Sequence, residues 1–155
     1  MSQKISASRT LQIGDVHHVI LPMRWGDGDV LNHMNNTIYF RMMEEARMKW
    51  LFGSGLSLPG DEGFILAHAS CDFLQAFTYP SDVRVTHRVT RIGRSSLETD
   101  LFLEKEGDDS GPYARGRTVM VWLNYRTNQS APMPASVLQA LGGHCVPVDA
   151  EISKV

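Results

Sequence analysis

The sequence has few of the residues that mark several large classes of protein. It contains only two cysteines in 155 residues, Cys71 and Cys145, which is too few for a disulfide framework and lacks the spacing of a metal site. It has no basic block, and its net charge of −2 argues against a nucleic-acid partner. No apolar run approaches the length of a membrane span. We therefore expect reduced thiols, no bound metal, and neither nucleic acid nor membrane as a partner.

The remaining composition is that of an ordinary globular domain. Apolar residues make up 43% of the chain and charged residues 21%. The length suits a single domain with a real core. The first fifteen residues lack the apolar segment of a signal peptide. Together with the sparse cysteines, this favours a cytoplasmic protein.

Periodicity predicts one long helix and several strands in separate parts of the chain. Residues 16–24 are rich in β-branched and aliphatic side chains and predict a strand, whereas 37–52 carry apolar side chains at helical spacing. Four more segments typical of strands follow, separated by turn-forming residues: 64–77, 82–92, 95–106 and 115–126. The predicted class is α+β, with a long central helix packed on a curved antiparallel sheet of about five strands.

The same pattern predicts three regions along the chain. Residues 1–14 are polar and are expected to form a loosely ordered N-terminal segment. Residues 15–127 contain the helix and the strands and form the domain itself. Residues 128–155 are expected to form a short helix at about 134–141, followed by a tail.

The most polar part of the chain is the loop at 24–36, directly before the long helix. It contains Asp27, Asp29, His33 and three asparagines. The start of a helix offers backbone N–H groups without intrahelical partners. Carboxylates, an imidazole and free N–H groups near one point are the groups needed to attack a carbonyl and stabilise the resulting oxyanion.

This loop and the helix resemble the hotdog-fold acyl-CoA thioesterases, in particular the 4-hydroxybenzoyl-CoA thioesterase branch. The resemblance lies in Trp25-Gly26-Asp27-Gly28-Asp29, in Asn32-His33-Met34-Asn35-Asn36, and in Tyr39 and Glu44-Glu45-Ala46-Arg47 on the helix. Plant acyl-carrier-protein thioesterases share a similar asparagine-rich string. Gly93-Arg94-Ser95-Ser96 also resembles a turn of the family, but that match alone is weak. Asn32 and Met34 depart mildly from the usual glycine and valine.

The resemblance implies hydrolysis of an acyl-CoA thioester to a carboxylic acid and CoA, without a cofactor other than the CoA of the substrate. It also implies a homodimer whose sheets join edge to edge, often paired into a homotetramer, with active sites between subunits. The sequence leaves two alternatives open. One is a hotdog module that binds acyl-CoA without catalysis, and the other is a thioesterase acting on acyl-carrier protein.

By resemblance, Asp29 is the catalytic acid, either as the nucleophile or as the general base that activates water. His33 either orients Asp29 and the substrate or only stabilises the loop. The N–H groups of Met34, Asn35 and Asn36 are the predicted oxyanion hole. Both asparagines are catalytic candidates, with simple capping of the helix as the alternative.

Predicted substrate contacts fall into two groups. Met34, Tyr39 and Glu44 lie in or after the loop, and a salt-bridged helix face is the alternative for Glu44. The other group follows a later strand and is predicted to meet the phosphates of CoA, with a charged strand face as the alternative: Arg91, Arg94 and Ser95.

Two other residues near these segments have simpler interpretations. Asp27, two residues before Asp29, is expected to be structural and to bond to loop N–H groups. Cys71 and His68 form a conceivable nucleophilic pair, but a small buried thiol is the preferred interpretation of Cys71.

Overall fold

A computed structural model describes residues 9–56 and 60–147 of the chain. Residues 1–8 and 148–155 lie outside the described residues, and with them most of the predicted N-terminal segment and tail. The elements follow in the order β1 (Asp15–Pro22), a 3-10 turn (Trp25–Asp27), α1 (Asn36–Gly53), β2 (Glu62–Phe73), β3 (Asp82–Ile92), β4 (Ser96–Lys105), β5 (Ala114–Asn124), β6 (Gln129–Ser130), α2 (Ala135–Gly143) and β7 (Val146–Pro147).

One antiparallel sheet contains all the strands. Its order is β2-β5-β4-β3-β1-β7, with β6 paired to the end of β5. The α+β class is confirmed, and the long helix laid across this sheet is the hotdog arrangement. The expected count of about five strands is too low, because the sheet has seven. The two additional strands, β6 and β7, have two residues each, which is too short for any periodicity to be read.

Helix α1 begins and ends where the local sequence predicts. The Asn35 side chain accepts a hydrogen bond from the Thr37 N–H at 2.9 Å and so caps the first turn. The helix ends at Gly53, and Gly55 just beyond it has a positive φ of 79°. The helix buries one stripe of side chains against the sheet: Tyr39, Met43, Ala46 and Trp50.

The core under α1 consists of two apolar clusters. The first lies beneath the N-terminal half of the helix and the second beneath its C-terminal half and α2. A row of polar side chains separates them on the sheet. On β4, Thr99 lies between core leucines and bonds to Thr118 of β5 at 2.8 Å. On β3, the fully buried His87 takes the same position between core valines. The two halves of the core are therefore distinct.

The described part of the N-terminal segment is packed, so the expectation of loose order is wrong for residues 9–14. Leu11 is 3% exposed, and its N–H donates to the Leu138 carbonyl at 2.9 Å. Arg9 bonds to the Gly142 carbonyl at 3.0 Å. A Cβ on Gly142 would lie 2.4 Å from the Leu11 nitrogen, so this close approach requires glycine. The segment is ordered because it covers α2, a long-range contact that local polarity does not reveal.

Candidate active site

The loop between β1 and α1 is held at the ends of the strands by backbone hydrogen bonds. The Met23 N–H donates to the Ser81 carbonyl, and the Met34 N–H donates to the Phe77 carbonyl, both at 2.8 Å. Asp27 is buried, as expected of a structural residue, and its carboxylate accepts the Arg24 N–H at 2.8 Å. The loop is therefore fixed from both sides before α1 begins.

Asp29 presents an exposed carboxylate at the surface of this loop. Its Oδ1 accepts the Leu31 N–H at 2.8 Å and the His33 N–H at 3.1 Å. These two backbone hydrogen bonds hold the pKa of the Asp29 carboxyl below its ordinary value. Oδ2 takes no hydrogen bond from the described residues. At neutral pH Asp29 thus offers an ionised oxygen to solvent while its other oxygen fixes the side chain.

Two of the three amides predicted for the oxyanion hole are already engaged. The Met34 N–H bonds to Phe77, and the Asn35 N–H donates to the Asp27 carbonyl at 2.9 Å. Within the described residues, only the N–H of Asn36 has no acceptor among the three. Because Asn36 is the first residue of α1, this N–H is one of the unsatisfied donors of the helix start.

The two asparagines have different surroundings. Asn35 Oδ1 accepts both the N–H and the hydroxyl of Thr37, at 2.9 and 2.8 Å, so Asn35 is the capping residue. The Asn36 side chain makes no hydrogen bond in the described part of the chain. The sequence left a catalytic role and simple capping open for each asparagine. Capping accounts for the side-chain oxygen of Asn35.

His33 and Tyr39 contact the site in different ways. The His33 backbone bonds to Asp29 through both its N–H and its carbonyl, while its exposed imidazole has no hydrogen-bond partner within residues 9–56 and 60–147. Tyr39 is buried, and its hydroxyl donates to the Gln75 carbonyl at 3.2 Å. Burial raises the pKa of this phenol, so it remains a neutral donor.

These residues line one open cleft of about 360 Å³ at the N-terminus of α1. Its walls contain six of the residues predicted from sequence: Asp29, His33, Met34, Asn35, Asn36 and Tyr39. The opposite wall is the segment 73–76, which contains the last residue of β2 and the three that follow it and which sequence reasoning missed. Phe73 and Leu74 in this segment are 46% and 53% exposed. Two adjacent large apolar residues, which cannot both face the core from an alternating strand, were the available signal.

The other predicted substrate contacts lie away from Asp29 within one protomer. The loop meets the Asp82 end of β3, whereas Arg91, Arg94 and Ser95 lie at its other end. An eleven-residue strand spans about 33 Å, so these three residues do not reach the cleft of their own chain. The Ser95 carbonyl accepts the Trp122 N–H at 2.7 Å, and Arg91 pairs with Glu98 at 3.7 Å.

Glu44 points away from the cleft. It pairs with Arg41 at 3.6 Å, and its side chain is 54% exposed. Both residues line a second groove of about 480 Å³, between α1 and the end of β1. This agrees with the salt-bridged helix face given as the alternative for Glu44.

Cys71 and His68 do not form a nucleophilic pair. Cys71 pairs with Gly116 of β5 and His68 with Val119, positions that lie on opposite faces of the sheet. Burial, aided by the charge of Asp72, raises the pKa of the Cys71 thiol to about 11. The thiol is therefore protonated at neutral pH.

The described residues contain no group of three or more His, Cys, Asp or Glu side chains placed to hold a metal ion. None of their helices is long and apolar enough to cross a membrane.

The chain is similar to a known protein family and to several solved structures. A family model described as the thioesterase-like superfamily matches residues 23–141. The PA2801 protein of Pseudomonas aeruginosa, provisionally described as a thioesterase, is 35% identical, with 79% of this chain and 95% of that chain covered and a TM-score of 0.75. The PA5185 protein of Pseudomonas aeruginosa is 29% identical, with 86% and 94% covered and a TM-score of 0.76.

A more distant structure shares the fold alone. A 1,4-dihydroxy-2-naphthoyl-CoA thioesterase from Synechocystis is 22% identical, with 81% of this chain and 95% of that chain covered and a TM-score of 0.73. Among curated proteins, no sequence matches this one significantly.

Proposed function

Because this chain belongs to the thioesterase-like superfamily, we propose that it hydrolyses acyl-CoA thioesters to a carboxylic acid and free CoA. The reaction takes place in the cleft at the start of α1. The observation that carries this proposal is the pairing of two free groups in one cleft. Among the described residues, no group donates a hydrogen bond to the second carboxylate oxygen of Asp29, and none accepts the backbone N–H of Asn36.

The two groups suit the two demands of thioester hydrolysis. A water molecule attacks the carbonyl carbon while Asp29 takes its proton. The carbonyl oxygen becomes an oxyanion that accepts the Asn36 N–H, where the helix dipole adds further stabilisation. The C–S bond then breaks, and the leaving thiolate of CoA takes up the proton. In the alternative route Asp29 attacks the carbonyl carbon directly and the C–S bond breaks to release the CoA thiolate; water then hydrolyses the resulting acyl anhydride, which frees the carboxylic acid and restores Asp29.

The walls of the cleft indicate how the substrate lies. Tyr39, Phe73 and Leu74 form an apolar wall for the acyl group, while Asp29 and Asn36 meet the thioester. A lining of hydrophobic and aromatic side chains with a few polar groups is typical of small-molecule sites. The remaining predicted contacts require a second subunit.

An edge-to-edge dimer brings those contacts to the cleft. Strand β2 is the outermost strand on its side of the sheet. A two-fold axis between two β2 strands reverses the strand direction in the partner subunit. The 91–95 turn of the partner subunit then lies at the same end of the joined sheet as Asp29, where Arg91 and Arg94 would face the phosphates of CoA.

Hydrolysis of a panel of acyl-CoAs, followed with a thiol-trapping dye, tests the proposal. Asp29→Ala is expected to lower kcat by about a thousandfold, with circular dichroism unchanged. Asp61→Ala, an exposed carboxylate outside the cleft, is the matched control and is expected to keep full activity. Retention of most activity by Asp29→Ala would contradict its role.

The same panel separates the alternatives. Tight binding of acyl-CoA without turnover by the wild-type protein would support a binding module. Turnover of acyl-carrier-protein thioesters alone would support the carrier-protein enzyme.

A further inference from the structure

Arg47 is a largely buried arginine without an acceptor among the described residues of its own protomer. It is 8% exposed, and its guanidinium forms no hydrogen bond and no ion pair with the described residues. A guanidinium carries five N–H donors and stays charged at all ordinary pH values. Arginine is rarely buried to this degree unless it is paired. None of its nitrogens is among the buried polar atoms sealed from solvent, so its donors face water in the single protomer, and an oxygen acceptor of a second chain can replace that water.

The nearby charges of the same chain do not supply that acceptor. The charge of Glu44 acts on Arg47 and opposes the lowering of its pKa by burial. Glu44 is nevertheless largely exposed and pairs with Arg41 instead. His87, the other titratable group coupled to Arg47, is a fully buried imidazole without hydrogen-bond partners. Neither group neutralises the guanidinium.

The position of Arg47 on α1 shows which side of the helix its donors occupy. At 100° per residue, Arg47 lies within about 20° of Phe40 around the helix. The Phe40 ring packs against Phe73, at the end of β2, with centroids 6.5 Å apart. Arg47 therefore lies on the side of α1 that faces the β2 edge of the sheet.

That edge has the properties of a surface for a second copy of the chain. Strand β2 has twelve residues, and in the described residues no strand covers its outer side. Ile65 and Leu66 on it are 40% and 44% exposed. Long, apolar, unpaired edges attract a matching strand, and an antiparallel edge can pair with its own copy about a two-fold axis.

We propose that Arg47 donates hydrogen bonds across the β2 edge to oxygen acceptors of a second copy of this chain, and so holds the dimer together. Arg47 takes this role only if the dimer of the proposed function exists. The substrate is the less favoured partner, because Arg47 does not line the cleft and lies eleven residues beyond Asn36. That separation is about 16 Å along the helix.

Sedimentation equilibrium of the full chain without substrate tests this role. Arg47→Met is expected to raise the dimer Kd about thirtyfold or more, since removing one partner of a buried charge pair weakens association by that order. Arg41→Met is the matched control on the same helix, because Arg41 is 75% exposed. It is expected to leave the Kd unchanged.

Each other outcome decides against the role. A folded Arg47→Met variant with the wild-type Kd overturns it, as does a wild-type protein that is monomeric at all concentrations. If Arg47→Met does not fold, Arg47→Gln gives the Kd under the same criterion. Failure of both to fold would place the acceptor inside the protomer. Because no substrate is present, loss of the thioesterase proposal leaves this measurement unaffected.

Discussion

At the scale of single residues, the site depends on which backbone groups are already engaged. Asp27 and Phe77 accept the N–H groups of Asn35 and Met34, so the number of donors available to an oxyanion falls from three to one. The sequence predicts the region of the oxyanion hole from the helix start. It does not reveal this occupancy, because Phe77 lies more than forty residues beyond the loop.

Asn36→Pro tests the free amide directly. Asn36 is the first residue of α1, where proline is tolerated, and Asn35 already has the extended φ and ψ of −60° and 139° that proline requires of its predecessor. We expect a folded protein with kcat about a hundredfold lower, because one oxyanion donor is lost. Asn36→Ala keeps the N–H and is expected to keep most activity. Equal losses in both variants would assign the effect to the side chain instead.

A buried histidine makes stability depend on pH. Burial, reinforced by the charges of His17 and Arg47, lowers the pKa of His87 to about 3, against 6.5 when unfolded. The unfolded state therefore binds the extra proton below pH 6.5, and stability is lost as the pH falls from there. We expect the free energy of unfolding to drop by about 2 kcal/mol between pH 7 and pH 5 from His87.

Urea denaturation at pH 5, 6 and 7 measures this effect. His17, whose pKa burial lowers to about 4, adds a comparable share over the same pH range. His87→Met removes one of the two titrating groups and is expected to make the profile about half as steep. An equally steep fall in His87→Met would attribute it to other groups.

At the scale of elements, Gly116 of β5 permits a close approach of both β2 and the Met43 side chain of α1. A Cβ there would lie 3.2 Å from the Met43 sulfur and 2.7 Å from the Ser70 carbonyl oxygen. The second contact is with backbone, which cannot move aside cheaply. A larger residue would therefore push β2 aside at Ser70 and crowd the Met43 side chain of α1.

Gly116→Ala is expected to lower the free energy of unfolding by about 1–3 kcal/mol and to reduce kcat. Gly53→Ala, at the end of α1 with open space around it, is the control and should stay within about 0.5 kcal/mol. Chemical denaturation and the hydrolysis assay give both quantities. Wild-type stability of Gly116→Ala would show that the sheet adjusts at this point.

The elements themselves were largely predictable from periodicity. The stripe of α1 and the alternation of Leu97 and Leu101 on β4 follow directly from one buried face per element. For β5, the alternating side chains divide the strand into two faces, but the sequence does not show which face is buried. The helix-facing side carries Thr118 beside Met120, and a buried threonine paired across strands resembles a solvent-facing residue in sequence. Segment 73–76 was missed because only the folded chain brings it opposite Asp29.

At the scale of the whole molecule, one chain contains only part of the proposed site, and the β2 edge is where a second chain would add the rest. One protomer contains the acid, the free amide and an apolar wall, while the 91–95 turn lies at the far end of β3. The homodimer or homotetramer implied by the resemblance stays a prediction that assembly measurements can test.

Leu66→Lys places a charge on this edge. We expect light scattering to show a shift toward monomer, and hydrolysis to fall with it because each cleft loses its contacts from the partner subunit. Ile13→Lys, at a residue 68% exposed and outside β2, is expected to change neither. A Leu66→Lys protein that stays assembled and active would exclude this edge as the interface.

The division of the core has a consequence for synthesis on the ribosome. Every buried member of the first cluster, on which the cleft rests, lies between Leu21 and Ala114. The second cluster includes Leu11 and Cys145, from opposite ends of the chain. The half beneath the cleft can therefore start to assemble on the emerging polypeptide, whereas the other half must wait until Cys145 has been synthesised.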